Sequence, residues 1–199
     1  MREDKRVQKR EQIAQAAYGL IETKGYAGTS MLAIAKAAKA SNETLYAWYG
    51  DKLGLFRALV DDNAGLVADR IAAQAVDGPP LKALETVGAA LLEMLLGPRA
   101  IALNQAAAAD ATGALGQAIA QGGRERVAPL LMDLIGRALD QGELSGEPLE
   151  ITERFLSLLI GDQQIRRVIG VMPVPSTGEC RKRSSDAIGA LRTLYPGRP

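Results

Sequence analysis

Apolar residues recur at helical spacing along nearly the whole chain, and neither sustained apolar/polar alternation nor clusters of β-branched residues interrupt them. The pattern predicts an all-α fold. A first helix over about 5–24 places Ile13, Ala17, Leu20 and Ile21 on one face and stops at Gly25, a residue that accepts positive φ. Thr29 suits the N-cap of a short helix over about 30–38, in which Met31, Ile34, Ala35 and Ala38 keep the i, i+3, i+4, i+7 spacing. After the brief break Lys39-Ala40, Ser41 caps a third helix over about 42–49, with Leu45 and Tyr49 turned inward and Tyr46 and Trp48 directed elsewhere. Two short helices joined by a turn of three or four residues make a helix-turn-helix candidate.

Asp51 reads as the N-cap of a longer fourth helix, about 52–75, whose Phe56, Leu59, Val60, Val67 and Ile71 lie near one stripe. Breaks follow at Gly78-Pro79-Pro80, Gly97-Pro98, Gly122-Gly123, Ser145-Gly146-Glu147-Pro148 and the run from Met172 to Gly178. Helices near 80–96, 99–110, 114–121, 124–141, 149–170 and 179–195 fit between them. The alanine-rich stretch 100–120 is expected to be a close-packed helical region, since alanine is the best helix former and Leu103, Leu115 and Ile119 supply some core.

Composition narrows the chemistry. With no histidine among 199 residues, the commonest general base, the Ser-His-Asp and Cys-His nucleophiles and His-containing metal clusters are excluded. The single cysteine, Cys180, excludes an intrachain disulfide and multi-cysteine zinc sites. No catalytic residue, metal or cofactor is expected. No run of roughly 18 apolar residues occurs without charges or glycines, and the start of the chain lacks the apolar stretch of a signal peptide, so a cytoplasmic protein is expected.

Net charge is +1, yet residues 1–52 carry nine Lys and Arg against six Asp and Glu, and the remainder fifteen against seventeen. That asymmetry is too small to identify a polyanion partner. The clustering of Arg2, Lys5, Arg6, Lys9 and Arg10 at the start of the first helix is more pointed, because a basic arm there is placed to meet phosphates.

Gly25-Tyr26-Ala27-Gly28-Thr29-Ser30, then Ile34-Ala35-Lys36-Ala37-Ala38, then Ser41-Asn42-Glu43-Thr44-Leu45-Tyr46-Ala47-Trp48-Tyr49, and Lys52-Leu53-Gly54-Leu55-Phe56 form a set of motifs at fixed spacing. Over roughly residues 8–60 that set resembles the N-terminal domain of the TetR family of regulators. The resemblance implies a three-helix DNA-binding domain over 1–52 and a helical effector-binding and dimerisation domain over 53–199. It implies a sequence-specific transcriptional regulator, a ligand-released repressor that binds a palindromic double-stranded operator as a homodimer. The segments Arg137–Leu144 and Glu147–Asp162 are similar, more loosely, to the C-terminal domain of the AefR-like subgroup.

The residue chemistry agrees with a DNA-reading role. An α-helix fits the major groove, and side chains near its N-terminus reach base edges. Asn42 suits adenine, Thr44 a base edge or thymine methyl, and Glu43 either cytosine N4 or merely the positive end of its own helix. Tyr46 and Trp48 each pair an apolar body with a polar tip that can donate to phosphate, although either also serves as a core aromatic. Lys52 lies in the first turn of its helix, where a nearby phosphate would compensate the unfavourable dipole. Carrying the family's contacts over by position gives Ser30, Ser41, Asn42, Glu43, Thr44, Tyr46, Trp48 and Lys52. Two residues depart from the family: Lys39 stands where glycine is frequent, which costs about 1–2 kcal/mol if its φ is positive, and Glu43 stands where a small residue is frequent.

For the body, the resemblance implies an apolar cavity for a small effector. Leu91, Leu92, Met94, Leu95, Leu103, Asn104 and Met132 are its candidate lining, with Gln105, Gln163 and Gln164 as further polar groups. Only Phe155 and Tyr195 among the aromatics lie beyond residue 56, so the unidentified effector is expected to be apolar but not held by stacking. The helices near 149–170 and 179–195 are the candidate dimer interface, through Phe155, Leu159, Gln163, Ile188, Leu191 and Tyr195; an intrachain core alone is the alternative for the same apolar faces. An all-helical interaction or carrier protein that no longer reads DNA is the alternative, and Glu43 is its motive.

Overall fold

Ser30, rather than Thr29, caps the second helix. Its Oγ accepts from the Ala33 N–H at 3.2 Å, while Thr29 is buried and donates from its own hydroxyl to the Gly25 carbonyl at 2.8 Å. Ser41 caps the third helix as expected, accepting from the Thr44 N–H at 3.0 Å, and Asp51 Oδ1 accepts from the Gly54 N–H at 2.6 Å at the start of the fourth. These local bonds set the directions of the first elements.

The computed structural model describes residues 2–74 and 78–197, without the side chains of residues 2, 3, 66 and 70–74. The side chains of Arg2 in the basic arm and of Ile71 in the fourth helix's stripe therefore lie outside the described ones. The elements run α1 (Arg2–Lys24), α2 (Met31–Ala37), α3 (Asn42–Tyr49), α4 (Lys52–Gln74), α5 (Pro80–Leu96), α6 (Pro98–Ala108), α7 (Ala114–Ile119), a π-helical turn (Ala120–Arg124), α8 (Glu125–Asp140), α9 (Pro148–Ile160), α10 (Gln163–Val168) and α11 (Thr177–Leu194). Among the described residues no strand occurs, and one isolated bridge pairs Leu144 with Pro196.

Two apolar clusters hold these helices. In the head, Ile13, Ala17, Ile34, Leu45, Phe56 and Leu59 meet across α1–α4, as their spacing predicts. Ala102, Leu103 and Ala106 of α6 and Leu115 and Ala118 of α7 belong to the same cluster, so two helices of the body pack into the head. An ion pair from Arg99 at the start of α6 to Glu11 of α1, at 2.5 Å, fastens the contact, and the guanidinium lies 5.3 Å from the Tyr18 ring centre. Burial pushes the Tyr18 phenol well above its usual range, so it stays protonated and donates to the Leu59 carbonyl at 3.2 Å.

The body cluster gathers Leu84, Leu92, Leu131, Ile135, Phe155 and Leu191 around α5, which packs against α4, α8 and α11. Gly88 permits the close approach of α11: a Cβ there would clash with Ser184 Oγ and come within 2.8 Å of Phe155 Cζ. Ser184, fully buried, donates to the Glu85 carbonyl at 2.7 Å. No single described helix is long and apolar enough to cross a membrane; α5 and α6 pass that test only as a pair bent by 55°.

Two predicted boundaries change. The Gly122-Gly123 pair does not end a helix but lies in the π-helical turn that carries α7 into α8. A Cβ on Gly122 would stand 2.5 Å from Asp61 Oδ1 and 2.9 Å from Val60 Cγ1, so glycine is what lets this turn rest on α4. The expected helix over 149–170 is broken at Gly161, with φ 54° and ψ −133°. The carbonyls freed there are taken by side chains: Arg183 Nε and Gln163 Nε2 donate to Leu159, at 3.1 and 3.2 Å, and Gln163 also to Ile160 at 3.1 Å.

Lys39 has φ 49°, the left-handed conformation that its family position suggests. Its backbone carbonyl accepts from Lys9 Nζ at 3.1 Å, a bond that does not depend on the Lys39 side chain. Lys39→Gly is therefore expected to stabilise the chain by about 1 kcal/mol, raising the melting midpoint by ~2–4 °C; an unchanged or lower midpoint would contradict the strain.

Candidate functional site

The Ser41 cap and the inward anchor Leu45, fully buried, fix the orientation of α3. Asn42, Glu43, Tyr46 and Ala47, at i, i+1, i+4 and i+5, consequently form its exposed face, and Thr44 lies half-buried on the flank. Thr44 Oγ1 shares a 2.8 Å hydrogen bond with Ser41 Oγ, so the two hydroxyls form a unit with one proton left to donate outward. Tyr46 is 49% exposed, and its hydroxyl has no described partner.

Trp48 is half-buried, edge-on to Tyr49, with the Arg6 guanidinium 5.8 Å from its ring centre. It is thus both a packing residue and the base on which a cation of the α1 arm rests. Lys9 is committed inside the head, reaching the carbonyls of Ala38 and Lys39 at the end of α2. Lys5 and Arg10 are exposed.

Lys52 has a role that residue spacing did not reveal. Its ammonium donates to the carbonyls of Tyr26 at 2.9 Å and Thr29 at 3.0 Å, and lies 4.3 Å from the Tyr26 ring centre. It ties the start of α4 to the turn before α2, which leaves one of its three N–H groups for a phosphate. Ser30 is exposed at the start of α2, its oxygen occupied by the Ala33 N–H and its hydroxyl proton free to point outward. The eight DNA-contact candidates all lie on α3 or on the neighbouring starts of α2 and α4.

A cavity of about 680 Å³ opens in the body, between α5, α6, α7, the π-helical turn, α8 and α9. Of the candidate lining residues, Leu91, Met94, Leu95 and Asn104 face it, and Gln164 does as well. Leu92 does not; it is fully buried in the body cluster on the other side of α5. Leu103 packs into the head cluster, and Met132 is exposed on the outer face of α8. Gln105 is also outside the cavity, donating instead to the Val168 carbonyl at 2.8 Å. Residues that spacing missed include Ile119, Ala120, Val127, Leu131, Leu156 and Ile160.

The interface candidates are engaged within the chain's own fold. Phe155, Leu159 and Leu191 are fully buried and Ile188 nearly so, all in the body cluster, because the apolar girth of α9 is spent on α5, α8 and α11. Gln163 closes the end of α9, and the Tyr195 hydroxyl donates to Glu150 Oε1 at 2.8 Å. The exposed large apolar side chains of this region are instead Leu149, Ile165, Ile169, Val171, Val174 and Leu194.

Residues 13–59 match the family of bacterial regulatory proteins described as tetR, and residues 82–196 match the C-terminal domain of AefR-like transcriptional repressors. Nothing matches among curated proteins. Among solved structures, a TetR-family protein from Mesorhizobium loti is 25% identical, with a TM-score of 0.78 over 96% of this chain and 98% of its own. A TetR transcriptional regulator from Agrobacterium tumefaciens is also 25% identical, with a TM-score of 0.74 over 95% of both chains. The regulator FadR from Bacillus subtilis, solved with stearoyl-CoA, shares the fold at 18% identity, with a TM-score of 0.69 over 91% of this chain and 96% of its own.

Proposed function

Since the chain belongs to the tetR family of bacterial regulatory proteins and is a DNA-binding transcriptional regulator, we propose that it is a ligand-released repressor that binds a palindromic operator as a homodimer. The observation that carries the reading is the exposed first turn of α3, held by the Ser41 cap over buried Leu45, with nothing of its own fold covering Asn42, Glu43 or Tyr46. In this reading Asn42, Glu43 and Thr44 meet base edges. Ser30, Ser41, Tyr46, Trp48 and the remaining N–H of Lys52 meet phosphates.

One head spans only a few base pairs, and a two-fold dimer doubles the length of sequence read and adds the binding free energies of two half-sites, which multiplies affinity. The second copy meets the outer faces of α9, α10 and α11, since the inner faces are used up within the protomer. The effector occupies the body cavity; a fold relative solved with stearoyl-CoA supports a body able to hold a small molecule. Effector binding releases DNA only if it favours an arrangement of heads that does not fit the operator.

Selection from random duplexes is expected to return a palindromic motif, with affinity falling steeply as salt rises. A selection without a two-fold motif, or binding insensitive to salt, would remove the repressor reading.

A further inference from the structure

The mouth of the body cavity is a slot with two regular lips. Gly116, Ala120 and Arg124 line it from α7 and the π-helical turn; Glu153, Ser157 and Gly161 line it from α9 and its end. Both triplets follow i, i+4, i+8 spacing, and all six residues are exposed while lining the cavity, which marks them as its rim. Four of them are small. The other two are opposite charges, and among the described residues neither Arg124 nor Glu153 has an ion-pair partner.

Depth and rim differ in chemistry. The buried wall is aliphatic, with Leu91, Val127 and Leu131 at 5% exposure or less, and no aromatic side chain faces the space. A flat ring would find no stacking partner there, whereas a flexible alkyl chain meets Leu91, Leu95, Ile119, Val127, Leu131 and Ile160. The volume of about 680 Å³ is that of an ordinary small-molecule site. At the rim a bare carboxylate gains Arg124 but faces Glu153, and a polyanionic head gains one cation for several charges.

We infer that the cavity takes a slender aliphatic amphiphile, tail inward through this slot, whose uncharged or zwitterionic head offers an acceptor to Arg124 and a donor to Glu153. The inference rests on the reading of the cavity as the effector site and narrows it to a ligand class. A glycerol monoester of a medium-chain fatty acid has the required head, since its hydroxyls and ester oxygens serve both lips.

The test is titration calorimetry on the full chain with 1-monododecanoylglycerol below its aggregation threshold, compared with dodecanoate and the flat aromatic acridine. The ester is expected to bind about tenfold tighter than dodecanoate, with acridine weakest. Arg124→Ala is expected to weaken the ester about tenfold, and Glu153→Gln to narrow its advantage over dodecanoate. Ala120→Trp, an exposed lip position, is expected to close the slot and cost at least about tenfold without lowering the melting temperature. No binding of the ester, tighter binding of acridine, or an Ala120→Trp protein that binds the ester unchanged would overturn the inference. A parallel measurement of affinity for the selected operator separates the two readings. Ester binding that leaves operator affinity unchanged upholds the amphiphile site and removes ligand release; loss of the ester site leaves the DNA reading standing.

Discussion

Alanine at both Asn42 and Thr44 is expected to lower affinity for the selected operator by roughly 10–1000-fold while leaving affinity for unrelated duplex nearly unchanged. A good bidentate contact between a side chain and a base edge discriminates by about 1–3 kcal/mol, and neither side chain holds the head together. Asn42 is exposed, and Thr44 makes one hydrogen bond, to Ser41, whose oxygen still caps α3 through the Thr44 backbone N–H after the change. Ser30→Ala with Tyr46→Ala is expected to behave differently, weakening both duplexes by a similar factor, because phosphates carry no sequence. Fluorescence anisotropy with both duplexes at one salt concentration reads the contrast. Equal losses for both pairs of substitutions on both duplexes would overturn the division between base-reading and phosphate-positioning residues.

The largest expected effect on stability is from Phe155→Ala, about 3–5 kcal/mol measured by chemical denaturation. Phe155 is fully buried, and its ring end sits under Gly88, where α5 and α11 approach too closely for even a methyl group on α5. The neighbours cannot collapse into the space, since the α5 backbone on one side is tied to α11 by the Ser184 bond to Glu85. A loss below about 1 kcal/mol would mean that the body repacks and that the Gly88 contact is not tight. The same substitution separates interface from core, because removal of a residue used only between protomers would alter dimerisation while leaving monomer stability intact.

The surroundings of Asn42 in the head were more legible from the sequence than those of Phe155 in the body. The head was legible because short helices with polar caps leave few choices: Ser41 and Asp51 cap where they were expected, and Ile13, Ile34, Leu45 and Phe56 are all buried. Thr29 and Ser30 are both cap-forming residues, and only the backbone path decides between them. In the body, α5 and α9 are apolar on most of their surface, so periodicity cannot say which side meets a cavity, a neighbour or a second chain. Leu91 and Leu92 are adjacent and chemically identical, yet one lines the cavity and the other fills the core. Gly161 interrupts a run whose spacing continues beyond it, and the break depends on Arg183, more than twenty residues away, reaching the Leu159 carbonyl. Lys52 is similar: its dipole-disfavoured position signalled a compensating partner, and carbonyls from a distant turn already supply two bonds.

The penetration of α6 and α7 into the head cluster bears on how such a protein is rewired. A chimaera made by transplanting residues 1–52 onto a foreign body would strand Ile13 and Leu45 without Phe56, Leu103 and Leu115, and would lose the Arg99 clasp on Glu11. The seam for exchanging specificities is therefore a surface that follows α4, α6 and α7, not a point in the chain. Any donor head must arrive with those contact residues recut to match.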